Sequence, residues 1–311
     1  VTTPAQVKTP RRLGDQIFST SAIVAGSIIL AALAAVAIFL IAQSIPAFLT
    51  TSEESKGSGD AFWGYVGPLV FGTIWAAALA LLVALPFAIG IALFISHFAP
   101  RRIAASLGYI IDLLAAVPSV VYGLWGITVL APAVQPFYSW LVDNVGWFPL
   151  FAGPVSGSGR TILTVAIVLG VMILPIITAL SREVFLQTPR LHEEAALALG
   201  ATRWEMIKMA VLPFGRPGLI SATMLGLGRA LGETMAVAMV LSPSAIISFA
   251  LLQSQNPNTI AANIALSFGE SNGLGLNVLI ATGLILFIIT LIVNSIARLI
   301  INRRKAFSGA N

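Results

Sequence analysis

Apolar residues in this chain gather into long unbroken runs, with neither the strict alternation of strands nor the one-sided stripe of soluble helices. A helix crossing a bilayer core about 30 Å thick needs roughly 20 such residues. Six runs reach that length: Ile23–Ile45, Val66–Ser96, Ile103–Leu130, Thr161–Leu180, Leu219–Leu241 and Leu276–Ile301. The pattern predicts an all-α, polytopic membrane protein with six transmembrane helices and argues against a barrel, whose strands alternate. Val66–Ser96 exceeds one perpendicular crossing and contains Pro86, which predicts tilt or a kink, and Pro118 predicts a kink in the third run.

The segments between the runs differ in character. Thr50–Asp60 is a polar, glycine-rich loop, and Pro132–Arg160 is a longer one whose Trp140, Trp147 and Phe148 suit an aromatic belt. Segment 182–218 is the most polar internal stretch. Ser242–Gly275 contains Ala245–Leu252, too short to span, and reads as a re-entrant or surface segment.

Composition agrees with the pattern. The 311 residues are 58% hydrophobic and 9% charged, with no cysteine. Soluble domains are about a quarter charged, so a soluble enzyme and a disulfide scaffold are both excluded. A nucleic-acid binder needs a clustered basic face; the 17 Lys and Arg here are dispersed, so no nucleic-acid partner is expected. Charge also predicts orientation, because segments on the inner side carry the excess of Lys and Arg. With both termini inside, 14 of the 17 basic residues fall on that side, leaving Lys56 and Arg160 outside and Arg229 within a span. The first apolar run is far longer than the roughly 7–15 residues of a signal-peptide core, so it is expected to be retained. One transmembrane domain over residues 1–311 follows.

Within segment 182–218, Arg190–Gly200 reads as a short helix with Leu191, Ala195, Ala198 and Leu199 on one face and a left-handed glycine cap at Gly200. Thr202 and Glu205 have capping-box spacing for a second short helix, Thr202–Leu212, which Pro213 is expected to stop. A helix–Gly–helix with a small apolar face suits insertion into a partner's groove. Glu194, Ala195, Ala196, Gly200, Leu212 and Pro213 resemble the EAA loop of bacterial ABC importer permeases, EAA-x3-G-x9-I-x-L-P, with Ala210 in place of the Ile. The resemblance implies a type I, MetI-like permease fold in which these residues dock on an ATPase subunit. No GxxxxGK[ST] stretch occurs in the sequence. By this reading the chain is not an enzyme; it carries no cofactor, and ATP and Mg belong to partner ATPase subunits.

An ionisable residue in mid-span costs at least ~2.5–3.5 kcal/mol on insertion scales, so it should be paired or functional. Arg229 and Glu233 stand four apart in the fifth run, a spacing that allows a pair on one helix face. Gly228 and Gly232 form a GxxxG step suited to close helix packing. One reading is an internal ion pair that fixes packing. The other makes Arg229 an anion-attracting group, since its donor fork matches an oxyanion bidentately, with Glu233 tempering the binding and Thr234 extending the polar character. Ser119 and Tyr122 flank Pro118 and are further pathway candidates. Asp112 is expected to pair with Arg101 or Arg102. His97 and His192 stand alone, so metal binding is not expected.

Gly228–Val237 (GRALGETMAV), Ala116–Gly123 (AVPSVVYG) and Glu194–Thr202 (EAALALGAT) together resemble the PstC-type permease of the bacterial phosphate importer. Met235 and the basic N-terminal arm favour that type over the sister PstA type. The resemblance implies a bacterial inner-membrane subunit that moves phosphate by alternating access. Its expected partners are a PstA-type permease as heterodimer, two PstB-type ATPases, a PstS-type phosphate-binding protein and the lipid bilayer. A permease for sulfate or molybdate, and an ion-coupled secondary transporter, are the alternatives.

Overall fold

The computed structural model describes residues 13–49 and 62–305, with the side chains of 302–305 left aside. The loop Thr50–Asp60, the N-terminal arm and Lys8, Arg11, Arg12 and Lys56 lie outside the described residues. Among the described residues six helical stretches are long and apolar enough to cross a membrane: Leu13–Leu49, Phe62–Phe98, Ser119–Val145, Ile162–Leu186, Arg203–Leu231 and Leu274–Ile301.

In chain order, α1 (Leu13–Leu49) packs along the last helix and is otherwise almost fully exposed, its apolar surface facing outward as in a helix bathed by lipid. Next, α2 (Phe62–Leu93) ends in a π turn, Phe94–Phe98. Its buried alanines Ala76, Ala80, Ala84, Ala88 and Ala92 recur every four residues, forming a flat stripe against which a second helix lies close. That helix is α6, described below; a Cβ at its Gly170 would sit 3.3 Å from the Ala80 carbonyl.

The third span is displaced from its predicted place. Instead of one kinked helix over Ile103–Leu130, α3 (Arg101–Ala115) is separate, and a new helix starts beyond Pro118 as α4 (Ser119–Trp125), a π turn Gly126–Leu130 and α5 (Ala131–Val145). Proline disfavours helical backbone in the residue before it, so Val117 breaks the chain direction outright. At 1.5 Å per residue α3 is about 22 Å long, too short to span. Much of the expected loop 132–160 is therefore helix. Asp112 is exposed and has no basic partner within 4.0 Å among the described residues, contrary to expectation.

After a short 3-10 turn at Pro149–Phe151, α6 (Ile162–Leu186) forms the centre of the bundle, its buried residues packed against α2 and later helices. Then come α7 (Arg190–Ala198) and α8 (Arg203–Met206), which runs through a π turn, Ile207–Val211, into α9 (Leu212–Leu231). Pro213 does not stop this helix. The three π turns share a cause: each ends two residues before a proline, Pro100, Pro132 and Pro213. A proline cannot donate to the helical ladder and crowds the preceding turn. In each case the residue before it, Ala99, Ala131 or Leu212, closes a wider i→i−5 bond, to Phe94, Gly126 or Ile207.

The fifth run also differs from expectation, since α9 ends at Leu231 and a separate α10 (Met235–Val240) follows. The segment beyond it folds back into the bundle. Strands β1 (Pro243–Ser244) and β2 (Asn256–Pro257) pair in parallel, and α11 (Ile260–Ser267) is buried at its start. The approach is backbone to backbone, for a Cβ at Gly72 would collide with the carbonyl oxygen of Asn258. Thr73 Oγ1 accepts from the Ile260 amide at 2.9 Å. Ala250–Leu252 are buried, whereas the earlier part of the predicted apolar run is partly exposed. Finally α12 (Leu274–Lys305) returns along α1.

Candidate functional site

The break between α9 and α10 carries the charged residues singled out in the fifth run. Gly232 caps α9, its amide bonded to the Gly228 carbonyl at 3.3 Å. Glu233, 8% exposed, then turns its carboxylate to the next helix, and Oε1 accepts from the Ala236 amide at 3.1 Å. It satisfies one of the free N–H groups at the start of α10 and sits at the favourable end of its dipole. The expected Arg229–Glu233 ion pair is therefore absent, because i,i+4 geometry requires a helix that continues through Gly232. Among the described residues the only contact within 4.0 Å between a basic and an acidic side chain is His97–Glu193, which is an ion pair only when the imidazole carries a second proton. Arg229 is half-buried without a carboxylate partner, and Thr234, at the N-cap of α10, makes no side-chain cap.

The opposite end of α10 has a basic counterpart. Arg160, on the loop leading into α6, donates from Nε to the Val240 carbonyl at 3.3 Å. Its Nη2 donates to Met239 at 3.3 Å and to Leu241 at 2.8 Å. Those carbonyls are the unsatisfied acceptors that end a helix. A six-residue helix thus has a carboxylate at its N-terminus and a guanidinium at its C-terminus, which complements its dipole at both ends.

Other elements hold this unit. A Cβ at Gly123 of α4 would stand 2.9 Å from the Ala236 Cα, and one at Gly126 would stand 2.8 Å from Val240 Cγ2, so α4 and α10 touch through glycine. Tyr122, buried beside Gly123, donates to the Leu114 carbonyl at 2.9 Å and ties α4 back across the Pro118 break to α3. Ser119 opens α4 and is half-buried. On the far side, fully buried Asn256 accepts from the Ile162 amide at 2.9 Å, and its Nδ2 lies 3.4 Å from the carbonyls of both Arg160 and Ser242. The close helix crossing in this region falls on Gly226, where a Cβ would stand 2.7 Å from Ile177. Gly228 has nothing within 4 Å of such a Cβ among the described residues, and Gly232 only the Gly228 carbonyl, so the GxxxG step does not pack within this chain.

Residues 84–306 match the family described as binding-protein-dependent transport system inner membrane component. The chain belongs to this family. Among its relatives, the phosphate transport system permease protein PstC 2 of Mycobacterium tuberculosis is 45% identical over 302 residues, covering 94% of this chain and 93% of that protein. PstC of Mycobacterium leprae is 46% identical over 275 residues (85% and 86%), and PstC of Mesorhizobium japonicum is 40% identical over 310 residues (96% and 93%). A bacterial ABC transporter involved in alginate import shares the fold at a TM-score of 0.57 and 18% identity, covering 94% of this chain and 99% of that one. The inward-facing MetNI methionine ABC transporter does so at 0.53 and 15%, covering 77% and 94%.

In this member of the family, the segment between the fourth and fifth spans ends α7 as the glycine cap requires. Gly200 has φ of +89°, and Ala201 bonds to Ala196 and Gly200 to Leu197, the two bonds of a Schellman motif. Thr202 and Glu205 form the capping box, with Glu205 Oε2 accepting from the Thr202 amide at 2.8 Å. One face of α7 joins the bundle: Ala196 packs with Ala92, Leu93, Phe185, Met206, Ile207 and Val211, with Leu212 half-buried beside them. The stripe opposite is bare, with Leu191 74% and Leu199 89% exposed, and Glu194, Ala195 and Pro213 are exposed too.

Proposed function

We propose that this chain is the phosphate permease subunit of an ATP-driven importer in a bacterial inner membrane, with both termini on the cytoplasmic side. The supporting observation is Arg229, an arginine inside a membrane span with no carboxylate within 4.0 Å among the described residues. It stands at a helix break, in a chain 40–46% identical to permeases named for phosphate transport. An uncompensated guanidinium in a low-dielectric setting attracts an oxyanion, and its planar fork suits two phosphate oxygens. Release is assisted because Arg229 acts as a single charge and not as a closed cage, so binding stays reversible.

The exposed stripe Leu191–Leu199 supports docking on an ATPase subunit, with Glu194, Ala195, Ala196 and Gly200 in the docking helix and Leu212 and Pro213 at the start of α9. ATP and Mg would be held by that subunit. A second permease of PstA type would complete the pathway, two PstB-type ATPases would drive it, and a PstS-type binding protein would deliver phosphate from outside. ATP-driven closure would shift α7. Because Ala196 of α7 shares an apolar cluster with Ala92 and Leu93 of α2 and Phe185 of α6, the spans would rock between outward and inward openings.

Proteoliposomes containing the whole assembly test this reading. Labelled phosphate should accumulate only with ATP and loaded binding protein, and excess sulfate or molybdate should not compete. Accumulation driven by an ion gradient without ATP would contradict it.

A further inference from the structure

The Arg160 guanidinium has five N–H groups. Three are spent: Nε–H on Val240, and the two of Nη2 on Met239 and Leu241. The acceptors are neutral carbonyls, so they fix the plane of the group without cancelling its charge. No carboxylate lies within 4.0 Å of it among the described residues. Among the described residues Nη1 makes no hydrogen bond and is not fully buried, which leaves it available to a ligand. An arginine fastened at three donors and open at two is a preorganised half of an anion site: its side-chain entropy is already lost when the ligand arrives.

Arg160 also has a fixed relation to Arg229. Arg160 caps the last turn of α10, whereas Arg229 sits in the last turn of α9, just before the break that leads into α10. A six-residue helix is about 9 Å long, so Arg160 at the end of α10 and Arg229 in the turn before its start belong to opposite ends of one short element. Arg160 lies on the loop between the third and fourth spans, away from α7, which is the outer side in the proposed orientation.

We propose that Arg160 is an outer subsite for the transported tetrahedral oxyanion, meeting it through Nη1 before it reaches Arg229. This rests on the phosphate-importer reading above. The role goes beyond that of a helix cap, in which the donors and the charge serve α10 alone and Nη1 binds nothing. Two guanidiniums with no carboxylate within 4.0 Å among the described residues, spaced along the route, would also lower the barrier to entry, since clefts of one sign concentrate the opposite ion.

The test uses the complete assembly in proteoliposomes with phosphate-loaded binding protein, measuring phosphate moved per ATP hydrolysed. Arg160→Gln retains amide donors for the carbonyls but removes the charge, while Arg160→Lys retains the charge and loses the fork. Phosphate per ATP should fall roughly tenfold in Arg160→Gln, the scale of one charge-assisted hydrogen bond, and recover most of the way in Arg160→Lys. Unchanged transport in the Gln variant, or an equal fall in the Lys variant, would overturn the subsite and leave the importer intact. Should the Gln variant fail to assemble, the Lys variant alone decides, retained transport supporting the subsite and lost transport overturning it. An unmodified assembly that carries no phosphate would overturn the importer reading and this one with it.

Discussion

The imidazole Nε2 of His97, in the π turn that ends α2, lies 3.4 Å from Oε1 of Glu193 on α7, and its Nδ1 lies 2.7 Å from the Ser96 hydroxyl. This contact joins the exposed helix α7 to the end of the second span by a polar pin, beside the apolar seat of Ala196. His97→Ala and Glu193→Gln should each weaken the transfer of motion from α7 to α2. The double variant should be no worse than either single one, with a coupling of about 0.5–1 kcal/mol in a thermal-unfolding cycle. Binding-protein-stimulated ATP hydrolysis should fall in both while the ATPase still co-purifies. Additive losses would mean that the two side chains act separately.

Helix crossing at Gly226 sets a steric limit. A methyl group there would press on Ile177 at 2.7 Å, and overpacking of this kind costs about 1–3 kcal/mol. Gly226→Ala should lower the melting temperature of the purified chain, whereas Gly228→Ala, with open space around it, should not. Equal effects would place the crossing elsewhere.

Glu233 offers a cleaner separation of roles. As the cap of α10 it needs an acceptor oxygen, which Gln supplies; as a counter-charge to Arg229 it would need the carboxylate. Glu233→Gln should therefore keep most of the phosphate uptake. Glu233→Ala should lose about 1 kcal/mol of stability, typical of a lost N-cap, and uptake with it. A dead Gln variant would restore the charge-pair reading that the geometry disfavours.

At Gly200 the backbone is left-handed, a conformation that costs other residues roughly 1–2 kcal/mol. Gly200→Val should loosen the turn between α7 and α8 and reduce the amount of ATPase recovered with the solubilised complex. Gly200→Asn, which tolerates this conformation, should recover more. Equal recovery in both would show that the cap does not position the docking helix.

Much of this architecture is legible in the sequence because it follows from composition and spacing. Long apolar runs give the span count, and Gly200 and the Thr202–Glu205 pair give the turn between α7 and α8. The failures sit where backbone breaks override apolar continuity. Val117-Pro118 cuts the third run and moves the span to Ser119–Val145, and Gly232 cuts the fifth run, which abolishes the i,i+4 relation of Arg229 and Glu233. Pro213 misleads in the opposite sense, because a π turn lets the helix pass it. The partners of Arg160 and Asn256 are not legible in the sequence, since they are carbonyls far away along the chain. The prolines that end three π turns were a usable cue, as was a lone arginine at the mouth of a span.

In the proposed importer Arg229, with no carboxylate within 4.0 Å among the described residues, is the group that passes phosphate through the permease. Labelled phosphate uptake into proteoliposomes by the full assembly carrying Arg229→Gln, with the complex verified as intact by co-purification of its subunits, tests it most directly. The variant should lose nearly all ATP-dependent uptake. Uptake equal to that of the unmodified assembly would contradict it and remove Arg229 from the phosphate pathway.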